Sequence, residues 1–228
     1  MDTFGEIVEP SSRATWEDWD DLENDIQFAE LHWQNVMEVP AAVDKFFLFE
    51  GQHLWDGVHQ EARKNNHEIN SLKEVNLRLY KVPTNNNYIC FVRDYDLMMS
   101  NDIVRLLKDL IVKSKVVASV LVKPLSDYQT AENVEHSSVT RKITTTNTSH
   151  LVKVNYPKLE QPNFVSGLSA GVFNLREHLG LSASVVVFYL EHSQVYEIED
   201  IQTLLQKLNI SHSSQTKQNP ILNSNLYI

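Results

Sequence analysis

Ala183-Ser184-Val185-Val186-Val187-Phe188-Tyr189-Leu190 is the most apolar run in the chain. No charge interrupts it, so a strand made from it has no face to give to water. Such a strand is buried on both sides, as strands are in a parallel sheet covered by helices. The residues before it fit that picture. Phe164 to His178 reads as a helix, with Gly167 and Gly171 allowing close approach to a sheet. After it, Ile198 to Leu208 carries Ile198, Ile201, Leu205 and Leu208 on one stripe, the pattern of a second helix.

Upstream the alternation repeats. Val116 to Val122 is a β-branched strand stopped by Pro124, and before it Asn101 or Asp102 can cap a helix bearing Ile103, Leu106, Leu107, Leu110 and Ile111. Val75 to Val82 and Tyr88 to Arg93 flank a turn at Pro83–Asn87 and form a hairpin. Lys45 to Phe49 is a short buried strand ended by Glu50-Gly51. His53 to Lys64 reads as a helix, and Phe28 to Met37 alternates like a strand. Strands alternating with helices define an α/β layered fold, and the hairpin makes its partly parallel central sheet mixed.

Three segments fall outside this rhythm. Residues 1–24 form an acidic leader expected to be flexible, with Trp16 and Trp19 set among Glu17, Asp18, Asp20 and Asp21. Residues 25–210 form one α/β domain, interrupted at about 129–155 by a long loop rich in Ser, Thr and Asn. Residues 211–228 are a polar tail, too poor in apolar residues to offset the entropy of ordering. Its last three residues, Leu226, Tyr227 and Ile228, differ in kind. They place a hydrophobe, a phenol and a carboxylate at its tip, the elements of a terminus captured in a pocket.

Charge is distributed as unevenly as hydrophobicity. Of 30 Asp and Glu and 20 Lys and Arg in the chain, residues 1–30 hold ten acids and one arginine, a net of −9. The remainder, with 20 acids and 19 bases, is at −1. No basic stripe supports nucleic-acid binding, and an acidic leader suits neither nucleic acid nor an anionic membrane. No apolar run is long enough to span a bilayer, and the N-terminus lacks a secretory pattern. The single cysteine, Cys90, lies in an apolar stretch. It points to a reducing address, the cytoplasm with the nucleus as a second site.

The search for chemistry yields one motif. Gly167-Leu168-Ser169-Ala170-Gly171 matches the nucleophile elbow of α/β hydrolases, with Glu177 or Asp200 and His178, His192 or His212 as nominal partners. The motif requires a strand directly before it, and Gln161-Pro162-Asn163-Phe164-Val165-Ser166 is a poor strand. No Gly-rich oxyanion segment is present either. Ser169 is therefore expected to be structural. The nine histidines, among them His53 and His59, form no metal signature, and one cysteine cannot make a thiolate site. Glu191-His192, just past the strongest strand, reads as a strand-end turn. No phosphate-binding glycine pattern occurs, and no cofactor is expected.

Several blocks resemble the proteasome assembly chaperone 1 family. Leu159-Glu160-Gln161-Pro162-Asn163-Phe164-Val165, then a small-residue helix and an apolar strand, is similar to that family's order. So are the opening Phe4-Gly5-Glu6-Ile7-Val8, the Val120–Thr130 stretch with Ser126-Asp127-Tyr128, and the closing Ser224-Asn225-Leu226-Tyr227-Ile228. The likeness is faint from Gln52 to Glu74 and from Ala131 to Tyr156. The resemblance implies a non-enzymatic chaperone for assembly of the proteasome core particle. It implies a heterodimer with a second, homologous assembly chaperone, seated on the outer face of the α ring. In such a protein Leu226, Tyr227 and Ile228 would enter a pocket between α subunits. Phe4, Ile7, Trp16 and Trp19 would give the leader a second docking role. A scaffold that binds something other than the proteasome is the alternative of a different class.

Overall fold

The computed structural model describes residues 31–130, 138–147, 155–191, 201 and 203–206. The leader and the tail lie outside them. The described residues build one seven-stranded mixed sheet. Four parallel strands form its centre: β1 (Val43–Glu50) lies between β4 (Asn87–Val92) and β5 (Ser114–Pro124), and β5 pairs in turn with β7 (Ala183–Leu190). Antiparallel strands finish both sides. β2 (His67–Leu72) and β3 (Leu77–Lys81) extend from β4, and β6 (Ser138–Thr144) lies along β7. The order across the sheet is β2-β3-β4-β1-β5-β7-β6.

The continuous apolar runs become the strands buried on both faces. β1 sends Phe47 and Phe49 into one layer and Phe46 and Leu48 into the other. On the first face the cover is a helical stretch over 52–65, made of α1 (Gln52–Leu54), a π-helical turn Trp55–His59 and α2 (Gln60–Asn65). The helical residues at 201 and 203–206 cover the same face with buried Ile201, Leu204 and Leu205. On the second face lie α3 (Ser100–Lys113), which buries Ile103, Val104, Leu107, Leu110 and Ile111, and α4 (Gly167–His178). A Cβ on Gly171 would come within 2.9 Å of Val104 Cγ2, so a glycine there permits the close approach of α4 to α3.

One buried cation ties this face together. Arg176 of α4 is fully buried and donates to the carbonyls of Ile111 (2.8 Å), Ser114 (2.7 Å), Lys115 (3.1 Å) and Ser182 (2.6 Å). Those of Ile111 and Ser114 are orphan carbonyls at the end of α3, where the chain passes directly into β5. Burial pulls its pKa down to about 10, so it stays charged at neutral pH.

Several sequence expectations are corrected. Residues 31–37 form no strand. Leu31, Trp33 and Met37 pack on the core, while Asn35 exchanges hydrogen bonds with the Asn70 side chain beside β2. The 129–155 stretch is no simple loop, because it contains β6, whose outer edge is covered where Lys142 donates its N–H to the Pro157 carbonyl and its own carbonyl accepts from Leu159 N–H. β2 is a strand the sequence reading lacked, and Val75 lies in the turn before β3 rather than in it. The 100–113 helix starts at Ser100 instead of being capped at Asn101 or Asp102. A 3-10 turn, Leu97–Met99, precedes it, capped by the Asp96 side chain. The next helix begins at Gly167, not Phe164.

Candidate functional site

In open α/β sheets ligands gather beyond the carboxyl ends of parallel strands. Here β1 ends at Glu50, level with Val92 of β4 and Leu121 of β5. Beyond them α4 starts, with its N-terminus turned toward the same edge. A cavity of about 340 Å³ opens between, lined by Glu50, Arg93, Asp94, Leu97, Lys123 and Gly167 among others.

The unpaired N–H groups of a helix start attract an anion. In this chain the anion is internal. The Glu50 carboxylate accepts from the backbone N–H of Leu168 (3.2 Å) and of Ser169 (2.8 Å), and from the Tyr95 hydroxyl. Tyr95 bridges further, since Leu168 N–H also reaches its oxygen at 2.7 Å. Burial first, then the negative charge of Glu50, holds the Tyr95 phenol above its ordinary pKa, so it remains a donor to the carboxylate. Gly167 makes the approach possible. Its φ is 73°, and a Cβ there would lie 2.5 Å from the Tyr95 hydroxyl and 2.7 Å from Glu50 Oε1. A phosphate entering this position would have to displace a bound carboxylate.

The rim has a different character. Leu97 is 66% exposed and Phe164 69% exposed, with Met98 beside Leu97 equally open. Lys123 donates to the Phe164 carbonyl at 3.0 Å and sits 5.1 Å from the centroid of its ring. Three large apolar side chains and one held cation present a surface suited to contact with another protein.

Ser169 stands inside α4 and is fully buried, and its Oγ has no hydrogen-bond partner. Residues 163–166 before the helix are not a strand. Ser169 is thus placed as the sequence led one to expect: it is no exposed nucleophile on an elbow. Its nominal partner Glu177 instead binds the backbone N–H and hydroxyl of Thr146. His178 and Glu191 are exposed, and Asp200, His192 and His212 lie outside the described residues. Cys90 is fully buried, and burial raises its thiol pKa, as expected of a packing residue. His53 is exposed, whereas His59 is buried and bonded to Tyr80. Among the described residues no group of three or more His, Cys, Asp or Glu could hold a metal ion, and no helix is long and apolar enough to cross a membrane. Leu226, Tyr227 and Ile228, like Phe4, Ile7, Trp16 and Trp19, lie outside the described residues.

In the sequence alone Glu50 reads only as the end of a strand. The available signal was an acid directly after a buried apolar strand, followed by glycine.

A mixed sheet with a four-stranded parallel centre and helices on both faces is a fold shared with solved structures of proteasome-assembly-chaperone homologues. Pyrococcus furiosus PbaA, an archaeal homolog of proteasome-assembly chaperone, matches in its monoclinic form with a TM-score of 0.59 at 15% identity, over 81% of this chain and 84% of that one. Pyrococcus furiosus PbaB, an archaeal proteasome activator, matches with a TM-score of 0.57 at 8% identity, over 82% of this chain and 92% of that one. A Thermoplasma acidophilum protein of unknown function gives 0.57 at 9% identity, over 79% and 88%. At such identities the likeness is one of fold. No family model matches the sequence, and no curated protein matches it significantly.

Proposed function

We propose that this chain is a non-enzymatic chaperone of proteasome core-particle assembly, acting as a heterodimer with a second, homologous chaperone on the outer face of the α ring. The observation that carries the reading is the shared fold, joined to the ordered sequence blocks similar to the assembly chaperone family. The site adds support. The position where this architecture would hold a phosphorylated ligand is filled by Glu50, and three large apolar side chains, Leu97, Met98 and Phe164, are exposed on the rim. Binding of proteins, not turnover of a small molecule, suits such a surface.

Contact with the ring is assigned to the tail. Leu226 fills an apolar groove between α subunits, the Tyr227 hydroxyl bonds a backbone group, and the Ile228 carboxylate pairs with a lysine at the rim. From Ser211 to Asn225 an extended tail reaches roughly 50 Å at ~3.3 Å per residue, enough to leave the body. The leader is a second docking element through Phe4, Ile7, Trp16 and Trp19, steered toward basic surfaces by its net charge of −7, eight acids against one arginine in residues 1–24. The protein works in the cytoplasm and the nucleus.

The test is binding of isolated α-ring intermediates by the full chain and by a chain lacking Leu226, Tyr227 and Ile228. The deletion should weaken binding strongly and leave the heterodimer intact, and removal of residues 1–24 should weaken it less. Equal affinities of the full and tail-deleted chains would remove the tail from the mechanism. No affinity for any α-ring intermediate would favour a scaffold for some other assembly.

A further inference from the structure

A second cavity, of about 320 Å³, lies beside the π-helical turn on the opposite side of the parallel centre from α3 and α4. π-helical turns are rare and recur at functional sites. This one stacks Trp55 on His59 with ring centroids 4.1 Å apart, and sets the edge of His59 against Phe91. His59 Nε2 is 2.7 Å from the Tyr80 hydroxyl, which lies 3.3 Å from Glu68 Oε2. Glu68 Oε1 accepts from Arg78 Nη1 at 2.7 Å. A chain of polar groups thus floors a cavity in an otherwise apolar layer.

The hydrogen-bond accounting of this floor is lopsided. Both Glu68 oxygens, the Tyr80 hydroxyl and His59 Nε2 are committed to one another. Arg78 spends one N–H on Glu68 and keeps the rest of its fork. Arg63 also lines the cavity and makes no ion pair or hydrogen bond with a described residue. The Gln60 amide and the Trp55 indole add further donors. Against these, beyond the committed Glu68, the described lining offers one carboxylate, that of the exposed Asp56. The charges acting on the His59 ring lean the same way. Burial lowers its pKa, Arg78 from β3 and Arg63 from α2 lower it further, and Glu68 from β2 alone opposes them.

We propose that this cavity binds a carboxylate. Arg63 and the spare N–H groups of Arg78 take its two oxygens, and the body of the ligand rests on Trp55. A guanidinium pair is the arrangement that recognises a planar carboxylate. An anion held there sits beside His59, so it favours the protonated ring, and by linkage protonation of His59 strengthens binding. The carboxylate can belong to a small free acid or to an acidic side chain of a docked protein. The site lies on the opposite side of the sheet from α3 and α4, apart from the edge near Glu50.

Nuclear magnetic resonance on the full chain separates these cases, with the Trp55 indole N–H and the His59 ring as reporters. The probes are benzoate for a free acid, acetyl-glutamate-amide for an acidic side chain, and acetyl-glutamine-amide as the uncharged control. Saturating shifts of both reporters with benzoate, the glutamate derivative or both, together with a raised His59 titration midpoint, support the site. The stronger of the two probes identifies the source. Arg63→Gln, at an exposed position, should weaken the response about tenfold while the remaining spectrum stays native. No movement of either reporter at ~50 mM of both carboxylates, an equal response to the glutamine control, or an undiminished response in Arg63→Gln would overturn the proposal.

Discussion

The Glu50 carboxylate accepts the backbone N–H of Ser169 at 2.8 Å and so closes the first turn of α4 from a strand 119 residues away in sequence. The N-cap position itself, Ser166, makes no side-chain capping bond, so the duty passes to Glu50. This one contact joins the end of β1 to the helix that follows the apolar rim. It holds together the edge that carries the exposed Leu97, Met98 and Phe164.

Replacing Glu50 by Gln keeps the shape and removes the charge. Loss of the anion from the helix start should cost about 0.5–2 kcal/mol in urea denaturation, and Glu50→Ala more than Glu50→Gln. The Leu168 and Ser169 amides should exchange hydrogen faster in both variants. Unchanged exchange at these two amides would show that the cap carries no weight.

Ser169→Ala should behave in the opposite sense. The wild-type hydroxyl is buried without a hydrogen-bond partner, a situation that costs roughly 1–3 kcal/mol. Removing it should leave stability unchanged or raise it by up to about 1 kcal/mol, with partner binding intact. A serine-directed phosphonate should not label the protein. Labelling that disappears in Ser169→Ala would return the hydrolase reading.

Arg176 is the most consequential buried group of the second layer. Arg176→Met would take the guanidinium donor from the carbonyls of Ile111, Ser114 and Lys115, and leave that of Ser182 only the Val117 N–H. The expected loss is about 3–5 kcal/mol by urea denaturation. Arg176→Lys should recover little of it, because a point charge on a flexible stem cannot reproduce the fork. A lysine variant as stable as wild type would mean that charge, not geometry, is what the carbonyls require.

The parts of this fold that were legible in sequence are those decided by burial. β1, β4, β5 and β7 announce themselves because strands covered on both faces cannot afford polar residues, and the stripe of α3, like the buried Ile201 and Leu205, follows from one-sided burial. β6 stayed hidden because it is an edge strand. In Ser138–Thr144 only Val139 and Ile143 are apolar, and every residue but the exposed Thr144 is half-buried, so the pattern resembles a polar loop. The apparent strand at Phe28–Met37 misled for the converse reason. Leu31, Trp33 and Met37 are apolar because they pack on the core as an irregular segment, and alternation alone cannot tell that from a pleated strand. The site was harder still. Glu50, Tyr95 and Ser169 meet only after the sheet has formed, and no local spacing encodes a cap supplied from so far along the chain. The same holds for Arg176 and its carbonyls, and for the π-helical turn that brings His59 to Tyr80.

His59 gives the fold an acid-side weakness whose sign can be worked out. Its pKa is lowered in the folded protein, first by burial among Trp55, Tyr80 and Phe91, then by Arg78 and Arg63, with Glu68 opposing and Asp56 exposed on its own turn. The unfolded chain therefore takes up a proton at this histidine before the folded chain does. Above the ordinary histidine value, about 6.5, neither state is protonated there and the group is neutral toward stability. As pH falls below that value the unfolded state gains the proton and the fold is weakened, by at most about 1.4 kcal/mol per pH unit from this one group. The loss stops once pH passes below the folded-state pKa. Urea midpoints measured from pH 7.5 down to pH 5 should show this decline in the wild type. In His59→Gln the decline over the same window should flatten, even if that variant starts less stable. An equal slope in both proteins would place the acid sensitivity elsewhere.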